Sequence, residues 1–188
     1  RCMIFASNVG HTRECYFINI YGWTNGEHNT AAASRTDLCV KAALGELKEH
    51  PKGPVFLTGD INARPEDIPT LLHMLDDLHW VDVGAVAEIW GKPNCEHTCI
   101  NAVTKVPTRR DFIFADQEAF PLITNFDVIH DNGYPTHSTL RIELCTDNVP
   151  ENITVNQAPH SFADTIKEAY TQQFKDMDPK KEGYLKWE

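Results

Sequence analysis

Residues 55–65 read VFLTGDINARP, and this stretch constrains the fold more than any other. Val55, Phe56 and Leu57 follow one another without polar alternation. A short continuous apolar run bounded by turn residues reads as a strand covered on both faces, here over 54–59. Gly59 closes it, and Asp60 and Asn62 come straight after. Residues just past the end of a buried strand sit on a rigid support at a surface edge. An Asp there can hold a water and accept its proton. An Asn can donate a hydrogen bond to a charged oxygen without adding negative charge. Gly, Asp and Asn are also good turn residues, so the pair alone decides nothing.

The rest of the chain supplies elements that can cover such a strand. Residues 2–6 (CMIFA) and 14–21 (ECYFINIY) predict a hairpin. The pattern over 29–50 predicts a helix capped by Asn29 or Thr30, with Leu38, Ala42, Ala43 and Leu47 as its buried stripe and Pro51 and Gly53 ending it. A second helix is expected near 66–78, with Ile68, Leu71, Leu72, Leu75 and Leu78 on one face. A loop-rich stretch is expected from about 82 to 108, then strands near 110–115, 122–129 and 138–145. Helices mixed with an antiparallel hairpin predict an α/β layered sandwich with mixed, largely antiparallel sheets. After Cys145 the texture turns polar and Pro-broken. The expected organisation is a compact unit over 1–146, a linker over 147–160, and a helical arm over 161–188 that Ser161 and Asp164 cap.

Charge and cysteines narrow the classes. The net charge is −10, which argues against a large basic nucleic-acid surface. It leaves open a metal-dependent nuclease, whose site is itself acidic. One local exception runs from Lys92 to Arg110, with Lys92, Lys105, Arg109 and Arg110 against Glu96 alone. That stretch reads as a polyanion contact or as a solvated charged loop. No run approaches the roughly 18 apolar residues of a membrane span. Arg1 opens the chain and no signal-peptide pattern follows; the expectation is a cut at position 1 and an intracellular protein, nuclear or cytoplasmic. The six cysteines contain no C-x-x-C pair. CEHTC at 95–99 lacks a second ligand pair for zinc, so free buried thiols are expected.

Two more stretches carry chemistry. TRRDFIF places Asp111 at the entry of a strand, and PTHSTL places His137 just before another. Each alone is an ordinary strand-edge residue. An acid–amide pair, a strand acid and a strand-start His, in that order, say more together than singly. The set GDIN, TRRDFIF and PTHSTL resembles the endonuclease/exonuclease/phosphatase superfamily, whose usual motifs are G-D-F-N, S-R-I-D-Y-I and S-D-H. The likeness covers residues 1–146, which look like the later part of such a domain.

The resemblance implies roles. Asp60 would orient and activate the attacking water. Asn62 would support the phosphate. Asp111 would pair with His137, which would contact a non-bridging oxygen. Tyr21 matches a catalytic strand residue. Asn25, Arg109, Arg110 and Thr136 would lie along the substrate. Thr136 stands where the pattern has an acid, and Arg110 where it has an aliphatic residue. Mg²⁺ or Mn²⁺ is the implied cofactor, with its main Glu ligand expected upstream of Arg1 and the chain alone expected to be weak or inactive. The implied activity is metal-dependent phosphodiester hydrolysis, foremost endonucleolytic cleavage of DNA. The texture of NIYGWTNG, GPVFLTGDINA and PTHSTLRIEL is similar to endonuclease domains of retroelement polyproteins, which implies a downstream reverse-transcriptase region. The alternatives are a catalytically inactive binding module, or a phosphatase or lipid phosphodiesterase of the same superfamily.

Overall fold

A computed structural model describes residues 1–9, 14–49, 53–101, 104–130, 133 and 136–145. The expected linker over 147–160 and arm over 161–188 lie outside the described residues. In chain order the strands are β1 (Cys2–Asn8), β2 (Glu14–Tyr21), β3 (Val55–Asp60), β4 (Val81–Asp82), β5 (Cys99–Ile100), β6 (Pro107–Thr108), β7 (Asp111–Ala115), β8 (Ile123–Ile129) and β9 (Thr139–Leu144). The two α-helices are α1 (Thr30–Leu47) and α2 (Pro69–Asp76).

One sheet runs in the order β1-β2-β3-β7-β4. β1 and β2 form the expected antiparallel hairpin. β3 lies parallel to β2 and antiparallel to β7. β8 and β9 form a separate antiparallel pair, and β5 and β6 a short ribbon. The mixed, layered α/β sandwich read from the sequence is therefore the observed architecture.

Side-chain alternation explains the layers. Ile18 and Ile20 of β2, Leu57 of β3, and Phe112 and Phe114 of β7 share a core with α1 and α2. Phe56, Ile113 and Ala115 point the other way and share a core with Ile123 and Phe126 of the β8–β9 layer. Phe56 and Leu57 are both fully buried. β3 is thus covered on both faces, as its unbroken apolar run requires. Each such Phe or Leu contributes about 1.5–3 kcal/mol on burial.

The helices differ in detail from the sequence expectation. Asn29 caps α1, its Oδ1 accepting from Ala31 N at 3.0 Å and Ala32 N at 3.1 Å. The buried stripe is Ala33, Thr36, Val40 and Ala43, while Leu38 is 64% exposed and Ala42 is exposed. An alanine-rich helix offers several stripes of similar apolarity. Thr36 helps select this one: its Oγ1 accepts from Trp23 N at 3.0 Å and donates to Ala32 O at 3.2 Å. The second helix is shorter than 66–78. A 3-10 turn occupies Pro65–Asp67, Ile68 is extended at φ −117°, and α2 begins at Pro69. Proline suits the first helical position, and its predecessor is pushed out of helical geometry. The periodicity therefore restarts at Pro69. Leu71 and Met74 turn inward with Ile68, and Leu72 and Leu78 turn out. The stretch expected to be loop holds two short helical turns over Val83–Trp90, broken at Val86, together with β5 and β6. Trp90 packs against Phe120 and Phe126, which ties this segment to the β8–β9 layer.

Gly59 is required where it stands. Its φ is +136°, and a Cβ there would lie 1.9 Å from Ile20 O on the parallel neighbour. Gly45 meets nothing within 4 Å and lies in the last turns of α1. Gly59→Ala is expected to destabilise the chain by about 3 kcal/mol or more. Gly45→Ala is expected to stabilise it by about 0.5–1 kcal/mol. Urea unfolding of the two variants beside the parent chain checks the opposite signs.

Candidate active site

Strand register builds the site. Tyr21 pairs with Asp60 across β2 and β3, and Asp60 pairs with Asp111 across β3 and β7. By alternation all three lie on the face that carries Phe17, Phe56 and Ile113, toward the β8–β9 layer. His137 arrives from the start of that layer. Cys99 bridges to His137, Ile100 N donates to Thr136 O at 2.8 Å, and Ser138 N donates to Thr98 O at 2.7 Å. These bonds tether the strand-start residues 136–138 beside β5.

The result is a compact cluster. His137 Nδ1 lies 2.9 Å from Asp111 Oδ2, with the imidazole 38% and the carboxylate 19% exposed. Asp60, Asp111 and His137 bring ligand-capable atoms within 4.8 Å of one another. Two carboxylates directly opposite on one sheet face repel. Burial first, and the Asp111 charge second, push the Asp60 carboxyl above its ordinary pKa; His137 and Asn62 pull it partly back.

Asn62 completes one wall. It is 5% exposed and left-handed at φ 56°, a conformation Asn tolerates. Its backbone N–H donates to Asp60 Oδ1 at 3.1 Å, which closes an Asx turn. Its Oδ1 accepts from Arg110 at 3.1 Å. Its Nδ2 is buried with no hydrogen-bond partner among the described residues, although the amide lies close enough to Asp60 to lower that pKa.

Thr98 is a residue the sequence reading did not single out. Its Oγ1 accepts from Arg110 N at 3.0 Å and Asp111 N at 2.9 Å, and donates to Asp111 Oδ2 at 2.8 Å. It is 1% exposed. With both acceptor sites filled by backbone donors, its single O–H goes to the carboxylate. Asp111 Oδ2 then accepts from both Thr98 and His137, which places the imidazole proton on Nδ1. Nε2 faces the Cys99 sulfur at 3.8 Å. No sequence signal marks Thr98, because its use depends on β5 lying beside β7.

Other expected residues fall elsewhere. Arg109 forms a bidentate ion pair with Asp82, at 2.8 and 2.5 Å, and stacks over Phe112 at 4.6 Å. Lys92 pairs with Asp127 at 2.5 Å. With Arg110 on Asn62, three of the four bases in the 92–110 stretch are engaged within the fold, and Lys105 is exposed. The stretch thus contributes internal ties more than a basic surface. Asn25 sits in an exposed turn at φ 68°, outside the cluster. Thr136 is held beside the cluster through its carbonyl. Tyr21 is 49% exposed, with the Arg1 guanidinium 5.1 Å from its ring centre. Of the six cysteines, all free, only Cys15 and Cys99 are buried. A groove lined by Glu27, His28, Asp37 and Pro69 contains none of the cluster residues. No described helix is long and apolar enough to cross a membrane.

The donor set fits a hard divalent cation. Two carboxylates supply oxygen ligands suited to Mg²⁺ or Mn²⁺, and His137 adds an imidazole. Burial first and the Asp111 charge second raise the Asp60 pKa, and such an ion would offset the second of these.

Two outcomes are expected of this geometry. Thr98→Val strands two backbone N–H groups and removes a donor from Asp111, and should cost about 2–3 kcal/mol in urea unfolding, whereas Thr98→Ser should stay close to the parent. Asp60 has a folded pKa above its ordinary value of 3.8. The folded state therefore holds that proton more tightly, and ionised Asp60 weakens the fold above the folded pKa. Asp60→Asn should raise Tm at neutral pH in EDTA, with the gain fading as pH falls through the folded pKa toward 3.8.

Comparison with known proteins bears on the fold. No protein-family model matches the chain, and no curated protein matches it. Solved structures do. A 3′-phosphatase from Neisseria bound to a product DNA hairpin is 16% identical, over 70% of this chain and 61% of that one, at a TM-score of 0.52. A 3′-5′ exonuclease from Neisseria meningitidis is 16% identical, over 69% and 61%, at 0.53. A protein of the endonuclease/exonuclease/phosphatase family from Leptotrichia buccalis is 14% identical, over 77% and 53%, at 0.48. The chain spans about three-fifths of the length of each Neisseria structure. The likeness to those two establishes the fold: a layered α/β sandwich of the kind the sequence motifs imply.

Proposed function

We propose that the chain carries the phosphodiester-hydrolysing site of a metal-dependent nuclease that cuts DNA internally. The observation that carries this reading is the buried, unpartnered Nδ2 of Asn62 beside Asp60, Asp111 and His137. A buried N–H without a partner is costly, and a phosphate oxygen is the acceptor that this donor suits.

Each residue has a task the geometry permits. Asp60, with its raised pKa, takes the proton of an attacking water. Asn62 Nδ2 presents an N–H donor, and a doubly protonated His137 would present a second through Nε2, to a phosphate whose negative charge grows in the transition state. Asp111, fixed by Thr98, holds the ring in place through its Nδ1–H. Asp60 and Asp111 would hold Mg²⁺ or Mn²⁺, and such an ion supplies neutralisation of the phosphate and leaving oxygen. DNA as substrate is supported by the product hairpin in the phosphatase structure and by the motif texture; the parent chain would continue into a reverse-transcriptase region.

A second reading, an inactive binding module, is favoured by Thr136, a residue unsuited to metal, where the motif has an acid. The test is a cleavage panel with Mg²⁺ or Mn²⁺ on supercoiled plasmid, abasic duplex, 3′-phosphorylated oligonucleotide, inositol phosphate and sphingomyelin. Slow plasmid nicking that falls about 10²-fold or more in Asp60→Ala and in His137→Ala is expected. Nicking that these changes leave untouched would sink the proposal, and DNA binding without turnover would select the inactive module.

A further inference from the structure

The guanidinium of Arg110 lies against the one side chain of the cluster whose two ends are hard to tell apart. Asn62 presents an amide whose oxygen and nitrogen are nearly equal in size, so its orientation is set by its neighbours. Arginine has five N–H donors and no acceptor. The amide atom 3.1 Å from the guanidinium must therefore be the oxygen. That choice turns Nδ2 the other way, where it is buried and lacks a partner among the described residues.

Arg110 is itself held in place. Its Nε donates to Thr108 Oγ1 at 3.2 Å. Its backbone N–H donates to Thr98 Oγ1 at 3.0 Å, and its carbonyl accepts from Ile61 N at 2.8 Å. The same Thr98 oxygen bonds Asp111, so the groups that fix the Asp111–His137 pair and those that fix the Asn62 amide share one anchor. The Asx turn at Asp60 fixes the backbone of Asn62, and the Asp60 carboxylate, close to the amide, favours the same orientation of its nitrogen.

We propose that Arg110 is a positioning residue, fixing the Asn62 amide with its nitrogen turned toward the reacting phosphate. The phosphate half of this statement rests on the hydrolytic reading above; the orientation half does not. Arg110 acts here through Asn62, and its own charge is committed to the amide oxygen.

Two measurements on the ¹⁵N-labelled 188-residue chain test it. The first is hydrogen exchange at the Asn62 side-chain amide in the free protein, the signal being identified by its loss in Asn62→Asp. Arg110→Leu should speed that exchange about tenfold while leaving the backbone spectrum folded, because an amide released at its oxygen can rotate and bring its buried N–H groups to water. Arg110→Met serves if the leucine variant does not fold. Unchanged exchange would overturn the orientation claim. The second is binding of a 3′-phosphorylated oligonucleotide in EDTA by the parent, Arg110→Leu, Asn62→Ala and the double variant. Each single change should weaken binding about tenfold, and the double change no further. Losses that multiply would mean that Arg110 binds phosphate directly, which overturns the proposal. A parent chain that does not bind the oligonucleotide at all would refute the phosphate reading, while the exchange experiment still decides the role of Arg110.

Discussion

Asp60 and Asp111 stand opposite each other across two hydrogen-bonded strands, and the arrangement around them answers that like-charge contact. Thr98 and His137 both bond Asp111. The backbone N–H of Asn62 bonds Asp60. Burial raises the cost of ionising Asp60 further. A fold selected only for stability would avoid two acids at this register, as it does two residues along, where Thr58 faces Ile113. The repulsion is local and sits at the end of β3, where the β2–β3 and β3–β7 ladders reach their last rungs. That is the usual site of a trade between stability and chemistry.

The second sheet matters as much as the first. Asp60 and Asp111 come from the central strands, whereas His137 enters from the β8–β9 layer. Their mutual distance is set by the core between the layers, chiefly Phe56, Ile113, Ile123 and Phe126. Close packing makes that core resistant to small displacement. Register adds a second condition. Slipping β3 or β7 by one residue would send its acid to the helix side and break the cluster. Gly59 guards against such a slip, because only glycine lets β3 pass so near Ile20 O.

How much of this could be read from the sequence depends on the range of the interaction that decides it. The ends of β3, β7 and β9 were legible because apolar runs and turn residues mark them locally, and the three site motifs lie at those ends. The layered class followed from a buried strand with a hairpin before it. The face of α1 was misread because alanine gives little contrast between faces, and the choice was made by Thr36 reaching Trp23, thirteen positions away. Pro69 restarts the helical phase, which turns Leu72 and Leu78 outward, away from the stripe that the spacing over 66–78 predicts. Thr98 was invisible, since its three bonds exist only once the 95–100 segment lies beside β7. Arg109 and Arg110 look alike in sequence, yet one neutralises Asp82 and the other orients Asn62.

That difference between two adjacent arginines bears on how an anion would meet this surface. A chain of net charge −10 offers little long-range attraction to a polyanion, and the 92–110 stretch does not reverse this, because most of its bases are already paired. Affinity for a phosphate would then come from short-range donors in fixed positions and from a bound cation, not from a broad positive field. Such a site discriminates by geometry. It accepts a phosphate that reaches the Asn62 nitrogen and the His137 ring together, and gains little from neighbouring phosphates along a backbone. Its dependence on salt should be correspondingly shallow, since most bases of the 92–110 stretch are already paired and few counterions would be displaced there. The orientation of a single buried amide then carries more weight than it would in a basic groove, where many weak contacts could substitute for one another.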